Sequence, residues 1–352
     1  MWIIGCDLHT RYQQIAALNQ ATGELRELRL EHEGDAVRKF YAALPAGAIV
    51  GIETTGYTQW FQSLLAELHH ELQVGAAAEI RAASIRQQKT DARDAQLLLQ
   101  LLLEKRFPRI WRPSPEDREI RRLLWHRVKM VRMRTMLSNQ LQALALGQGV
   151  RCGKKLWTHR GQHQLANLPL GRFSSEQRRD LLGLTQRLDQ RIATLNREVD
   201  RQAAQRPDAV RLQQQDGVGP LTALAFVLTL GPAARFRRSK QVVSYLGLNP
   251  REYSSGGRQR LGAISKQGNT LTRWLLVEAA QTAARRDPEL YRVYLRLKQR
   301  RGARIAKVAI ARKLAVRLYW KLRTPEPEAN AQWVGPQSSP CTSMVKETSS
   351  HS

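Results

Sequence analysis

Four carboxylates in this 352-residue chain stand at positions suited to metal-dependent chemistry. Asp7 follows the apolar run Trp2–Cys6, and Glu53 follows the apolar run Ile49–Ile52. If the two runs are neighbouring strands, acids at the same strand ends face one crevice. Asp91 and Asp94 lie at i and i+3 of a helix start, which puts both on one helix face. Singly, each has a plain reading, as a first-turn acid favoured by the helix dipole or as a strand-end cap. As a set they repel one another until a cation neutralises them. Mg2+ takes oxygen ligands and is held by a few carboxylates plus substrate phosphates. Two such ions stabilise the attacking and leaving oxygens of phosphoryl transfer.

A second group of reactive residue types lies some two hundred positions further on. Tyr245-Leu246-Gly247-Leu248-Asn249-Pro250 leads into Tyr253-Ser254-Ser255-Gly256-Gly257, and Leu261–Asn269 then leads into a predicted helix, Thr270–Ala284. Arg251, Arg258, Arg260, Lys266 and Arg273 flank this Ser/Gly-rich loop. Such a loop holds phosphates through amides and guanidinium groups; equally, a hydroxyl in it can attack a phosphodiester. Upstream, Asp216-Gly217-Val218-Gly219-Pro220 reads as a Gly-x-Gly hairpin opening a helix. Gly217 and Gly219 let a backbone approach closely, and helix N-terminal amides receive a phosphate. A plain turn has the same signature.

These residues need elements to position them. Strand signals at Trp2–Cys6, Gln14–Leu18, Leu25–Leu30, Ile49–Ile52 and Leu72–Ala76 alternate with helical ones at Asp35–Ala43, Trp60–Leu68 and Asp91–Leu103. This predicts a mixed sheet flanked by helices over residues 1–110. Residues 111–209 read as a long helical region. Leu123, Met130, Leu137 and Leu144 recur every seven residues within Glu116–Leu146, and Leu181, Leu184, Leu188, Ile192, Leu195 and Val199 are three or four apart within Gln177–Gln205. The seam suits either an intramolecular hairpin, bent at Gly147–Gly171, or an intermolecular coiled coil. Residues 210–323 form a basic helical module that ends in the helix Ala306–Leu322, and the Pro/Ser/Thr/Glu-rich tail 324–352 reads as disordered. The fold class expected is α/β plus α.

Charge divides the chain along the same lines. The net +27 resolves into −1 over residues 1–110, +30 over 111–323 and −2 over 324–352. A basic region of that extent, which also carries core-type patterns, favours a nucleic acid over a membrane surface. At 42% hydrophobic residues the chain has material for real cores, which excludes wholesale disorder. Cys6, Cys152 and Cys341 make neither a zinc ribbon nor a disulfide framework. The longest largely apolar run, Leu221–Leu230, is far short of the ~20 residues that cross a bilayer, and no signal-peptide pattern opens the chain. No membrane partner is expected.

Ile3-Ile4-Gly5-Cys6-Asp7, Ile52-Glu53-Thr54-Thr55-Gly56 and Lys89-Thr90-Asp91-Ala92-Arg93-Asp94-Ala95 resemble, in this order, the catalytic segments of the DEDD-type insertion-sequence transposases. That family includes the Piv invertases and the bridge-RNA-guided recombinases. The resemblance covers about residues 1–105 and 210–323. It implies an RNase H/RuvC-like N-terminal domain binding Mg2+ through Asp7, Glu53, Asp91 and Asp94. It also implies a C-terminal transposase domain with a helix-hairpin-helix-like segment, in which Asp216 stands where the family commonly has Pro. The Ser-Gly motif puts a nucleophilic serine at Ser255, with Ser254 as the adjacent alternative. Further implications are a composite site in a homo-oligomer (dimer or tetramer), double-stranded DNA as substrate, a structured guide RNA, and a cytoplasmic, nucleoid-associated setting in a prokaryote. Two other classes compete: a RuvC-like metal-dependent junction nuclease using water, and a non-catalytic architectural nucleic-acid-binding protein.

Overall fold

The computed structural model describes residues 1–83, 90–150, 156–254, 258 and 260–324, in two compact units, Met1–Arg112 and a second that begins at Pro113. Lys89, Cys152, Ser255, Gly256, Gly257 and the tail after Thr324, Cys341 included, lie outside the described residues.

In the first unit the chain runs β1 (Trp2–Leu8), β2 (Tyr12–Asn19), β3 (Leu25–Glu31), α1 (Ala36–Ala42), β4 (Ile49–Glu53), α2 (Gln59–Glu67), β5 (Glu71–Gly75), α3 (Ala77–Ala83) and α4 (Asp91–Leu103). The sheet order is β3-β2-β1-β4-β5. β1–β2 and β2–β3 are antiparallel, whereas β1–β4 and β4–β5 are parallel. The central strands are covered on both faces, and so they read as continuous apolar runs. On one face Ile4, Cys6, Val50 and Ile52 pack with Tyr41, Phe61 and Leu65 from the α1 and α2 side. On the other, Ile3 and Ala16 pack with Ala95, Leu99 and Leu102 of α4. Gly5 is what lets α4 settle there. A Cβ on Gly5 would lie 2.1 Å from the Ala95 carbonyl oxygen and 2.4 Å from the Leu99 nitrogen.

β1 and β4 run on to Leu8 and Glu53, beyond the ends expected from the apolar runs. Asp7 therefore lies inside the ladder, opposite Gln14 of β2. Apolar runs mark where both faces are covered, and pairing outlasts the covering.

The second unit comprises α5 (Pro115–Gly147), α6 (His159–Ala166), α7 (Arg172–Ala204), α8 (Pro207–Gln213), α9 (Pro220–Leu230), α10 (Ser239–Tyr245), β6 (Pro250–Glu252), β7 (Leu261–Ile264), α11 (Thr270–Arg286), α12 (Pro288–Arg301) and α13 (Ala303–Arg323). Ser114 caps α5 by accepting from the Asp117 nitrogen at 3.0 Å, with Pro115 in the first turn. α5 and α7 pack antiparallel. The start of α5 (Ile120, Leu124, Val128) shares a core with Val199 and Ala203, and its end (Leu137, Leu141, Ala145) shares one with Leu181. Within the chain the pair thus forms a helical hairpin, and α6 lies in the expected bend.

The seam differs from the seven-residue reading. Leu123, Met130 and Leu144 are half-buried, whereas Ile120, Leu124 and Val128, then Leu137, Leu141 and Ala145, are buried. Steps of four advance around a helix of 3.6 residues per turn, so the buried stripe drifts. The two ends of α5 serve different cores. A further difference lies in the Ser/Gly-rich segment, where β6 and β7 form an antiparallel pair between helices. Among the described residues no helix is long and apolar enough to cross a membrane.

Candidate active site

β1 and β4 pair in parallel with Gly5 opposite Gly51 and Cys6 opposite Ile52. The residues that follow, Asp7 and Glu53, thus stand at corresponding positions, and strand alternation turns both toward the face that carries α4. α4 begins at that end of the sheet. Its N-cap Thr90 has an extended backbone and accepts from the Arg93 nitrogen, and Asp91 and Asp94 occupy the first turn. Strand ends and helix start thereby bring acids some ninety residues apart onto one face.

The closest grouping differs from the expected four. Among the described residues, one set of His, Cys, Asp and Glu donors lies mutually within 4.8 Å, and it is Asp7, His9 and Asp91. The His9 Nε2 is 3.0 Å from Asp7 Oδ2 and 3.5 Å from Asp91 Oδ2. Tyr12 donates its hydroxyl to Asp91 Oδ2 at 2.7 Å, and the Arg29 guanidinium lies 3.6 Å from the centre of the Tyr12 ring. Glu53 and Asp94 lie outside this set, both half-buried. Burial pushes the Asp7 carboxyl above its ordinary range; His9 opposes that shift, while the charges of Asp94 and Asp91 add to it. Two carboxylates and an imidazole this close together are donors of the types that hold a divalent metal.

His9 and Tyr12 were not singled out from the sequence. The signal for His9 was there, since Asp7-Leu8-His9 continues the strand alternation by one step and returns to the same face. Tyr12 had no such signal, because its contact with Asp91 depends on the β1–β2 turn, closed by His9 N–H donating to the Tyr12 carbonyl at 3.0 Å.

In the second unit the β6–β7 pair stands on a backbone clamp. Gly247 has φ of +68°, and a Cβ there would lie 2.0 Å from the Gln267 carbonyl oxygen. The Ser265 nitrogen donates to the Asn249 carbonyl at 2.7 Å, and the Lys266 nitrogen to that of Gly247 at 3.1 Å. Arg273, expected to hold nucleic acid, differs from that reading. It is buried in α11, and its Nη1 donates to the carbonyls of Leu246 and Gln267 at 3.1 and 2.7 Å. Its position on the buried face of the helix turns it inward, so that it ties the clamp together. Arg251, Arg258, Arg260 and Lys266 are exposed around the hairpin.

Ser254 Oγ donates to Glu252 Oε1 at 2.6 Å and accepts from the Arg260 nitrogen at 3.1 Å, bracing the two strands. Ser255 falls outside the described residues. Gly217, at φ of +81°, is pressed against α11, and a Cβ there would lie 2.5 Å from the Ala279 carbonyl oxygen. It serves packing. Gly219 is the N-cap of α9 and faces open space.

Known proteins agree with both segments. A family described as the IS116/IS110/IS902 transposases matches residues 209–295, and a transposase family of the DEDD IS110 type matches residues 4–148. A probable family 20 transposase of Pseudomonas aeruginosa is 31% identical over 92% of this chain and 97% of its own length. The transposase for insertion sequence element IS1111A of Coxiella burnetii is 28% identical over 80% of this chain and 79% of its own. The transposase for element IS1328 of Yersinia enterocolitica is 27% identical over 70% and 74%.

Proposed function

This chain belongs to the DEDD-type insertion-sequence transposases of the IS110 family, and from that premise we propose that it cleaves and rejoins DNA through a covalent phosphoserine. The observation that carries the metal part of this reading is the convergence of Asp7 and Asp91, from a strand and a helix start, within one donor set; the serine part rests on the resemblance of the Ser-Gly motif. The sheet order, with β3-β2-β1 antiparallel and β1-β4-β5 parallel, supports an RNase H/RuvC-like domain. Asp7, Glu53, Asp91 and Asp94 are proposed to hold Mg2+. Once bound, the ion supplies charge stabilisation at the phosphate under attack.

The serine hydroxyl attacks phosphorus, the P–O3′ bond breaks, and the serine proton is lost as the departing 3′ oxygen gains one. The DNA 5′ phosphate is then esterified to the serine. Reversal by a 3′ hydroxyl of another strand restores a phosphodiester and frees the serine, with no ATP needed. Ser255 is assigned this role by its place immediately before Gly256 in the Ser-Gly motif, with Ser254, whose Oγ donates to Glu252 Oε1, as the adjacent alternative. Double-stranded DNA and a structured guide RNA are proposed as partners, the protein reading duplex shape while base pairing supplies sequence, as in other RNA-guided systems. The +30 region has charge for both. A homo-oligomer, dimer or tetramer, completes the proposal.

A suicide-substrate experiment tests it. The full chain, RNA co-purified from its native host and Mg2+ are incubated with nicked target DNA and then denatured. The expected result is an intact protein–DNA adduct that is lost in Ser255→Ala and in Asp94→Asn. Cleavage by Ser255→Ala without any adduct would instead indicate a water-using, RuvC-like nuclease. Full parental activity in Asp7→Ala and Asp94→Ala would indicate an architectural protein. Recovery of bulk cellular RNA rather than one discrete species would refute guidance.

A further inference from the structure

His9 lies within reach of both Asp7 and Asp91, yet it is not among the four residues assigned to Mg2+. Its Nε2 is 3.0 Å from one Asp7 oxygen and 3.5 Å from one Asp91 oxygen. Metal–ligand bonds of about 2.1 Å set adjacent ligand atoms about 3.0 Å apart in octahedral geometry and about 3.4 Å apart in tetrahedral geometry. The observed separations match those of neighbouring ligands around one ion, and 3.0 Å is equally the length of a hydrogen bond from the imidazole to Asp7.

The imidazole is also held in place more firmly than a surface hydrogen bond requires. The β1–β2 turn fixes its backbone through the 3.0 Å bond to the Tyr12 carbonyl. Its ring lies against that of Tyr12, with centroids 4.7 Å apart and planes 32° apart. Tyr12 is anchored in turn by its hydroxyl on Asp91 and by the Arg29 guanidinium against its ring, and Arg29 Nε donates to Glu31 at 2.8 Å. Outer groups of this kind orient first-line ligands at metal sites and tune affinity.

Resting on the reading of these acids as a metal site, we propose that His9 is a nitrogen ligand of the bound ion. The site is then a mixed imidazole–carboxylate centre that accepts Mg2+ on its oxygens and binds a first-row transition dication more tightly. Imidazole adds little for Mg2+, which prefers oxygen and retains its waters. It adds substantially for transition ions, whose affinity for nitrogen rises along the series that starts at Mn2+. The alternative is that His9 serves only as a hydrogen-bonding stand-in for a cation. The two roles predict opposite signs. If His9 is a ligand, removing it weakens the transition ion. If it is a stand-in, removing it frees Asp7, and every dication binds as well or better.

Mn2+ alone is the probe, added to the full-length metal-free chain. Pulsed EPR of bound Mn2+ is expected to show nitrogen modulation from one imidazole, absent in His9→Ala. Equilibrium titration is expected to show Mn2+ affinity falling about tenfold or more in His9→Ala, with Mg2+ affinity, measured by competition, within about threefold of the parent. Tyr12→Phe is expected to weaken Mn2+ by a smaller factor while keeping the nitrogen signal. Bound Mn2+ that is lost in Asp7→Asn but shows no nitrogen modulation in the parent overturns the role of His9 and leaves the carboxylate site standing. Failure of both ions to bind in any manner sensitive to Asp7→Asn overturns the carboxylate site, and the His9 proposal with it. The parent spectrum decides without any variant, so misfolding of a variant cannot mask the answer.

Discussion

At the scale of single residues, Asp7 shows a site whose electrostatics oppose the stability of the fold. Burial raises its pKa, and the charges of Asp94 and Asp91 push the same way against the opposing His9. A carboxyl whose folded value lies above its unfolded one binds more protons in the folded state. Stability is then lost as pH rises through that window, and at neutral pH the ionised group is a net cost. Asn has the same shape without the charge. In the absence of metal, Asp7→Asn is expected to raise the melting temperature at pH 7 by a few degrees, and the difference should shrink toward pH 4 as the parent carboxyl takes up its proton. Divalent metal should reverse the order, stabilising the parent alone. A melting temperature below the parent's at pH 7 without metal would show that the contact with His9 outweighs the burial.

At the scale of elements, the site depends on how closely α4 approaches β1, and Gly5 sets that distance. The atoms a Cβ would meet, the Ala95 carbonyl at 2.1 Å and the Leu99 nitrogen at 2.4 Å, belong to the helix backbone and cannot rotate away. Gly5→Ala is expected to cost about 2–3 kcal/mol in urea denaturation. It should also abolish metal binding, because the helix that must shift carries Asp91 and Asp94. Gly183→Ala in α7 is the control, since a Cβ there meets nothing within 4 Å. Normal metal binding by Gly5→Ala would show that α4 tolerates displacement. Much of this arrangement was legible in the sequence. Apolar runs that lead into Asp7 and Glu53 and the helix start at Asp91 each state a local preference that the fold keeps. What was not legible depended on register and on choice of face. The buried seam of α5 drifts because its two ends serve different cores. Arg273 reads as one more cation until its helix face is known, and Tyr12 reaches Asp91 only through the β1–β2 turn.

At the scale of the whole chain, the charge profile states where nucleic acid should be held, and α12 offers a place to test it. Arg292, Arg296 and Arg300 recur every four residues on that helix, all exposed, beside exposed Tyr291 and Leu295. A stripe of this kind is either a solvated helix face or a phosphate-tracking one, and stability alone does not distinguish them. The helix is anchored elsewhere: Leu290 is fully buried, and Asp287 and Glu289 form ion pairs with Arg317 of α13. Replacing the three arginines by Gln should therefore leave the fold intact. Each phosphate a protein neutralises on duplex DNA contributes about −0.9 to the slope of log K against log salt concentration. If the stripe lies on DNA, the triple variant is expected to lose about 2.7 from the magnitude of the parent's slope, while Asp7→Asn, in the near-neutral first unit, keeps the parental slope. The slope is the decisive quantity, because a lower affinity at one salt concentration also follows from the loss of general positive potential. An unchanged slope in the triple variant would move the DNA-binding surface off α12 and onto other parts of the +30 region, such as the exposed cations around the β6–β7 hairpin.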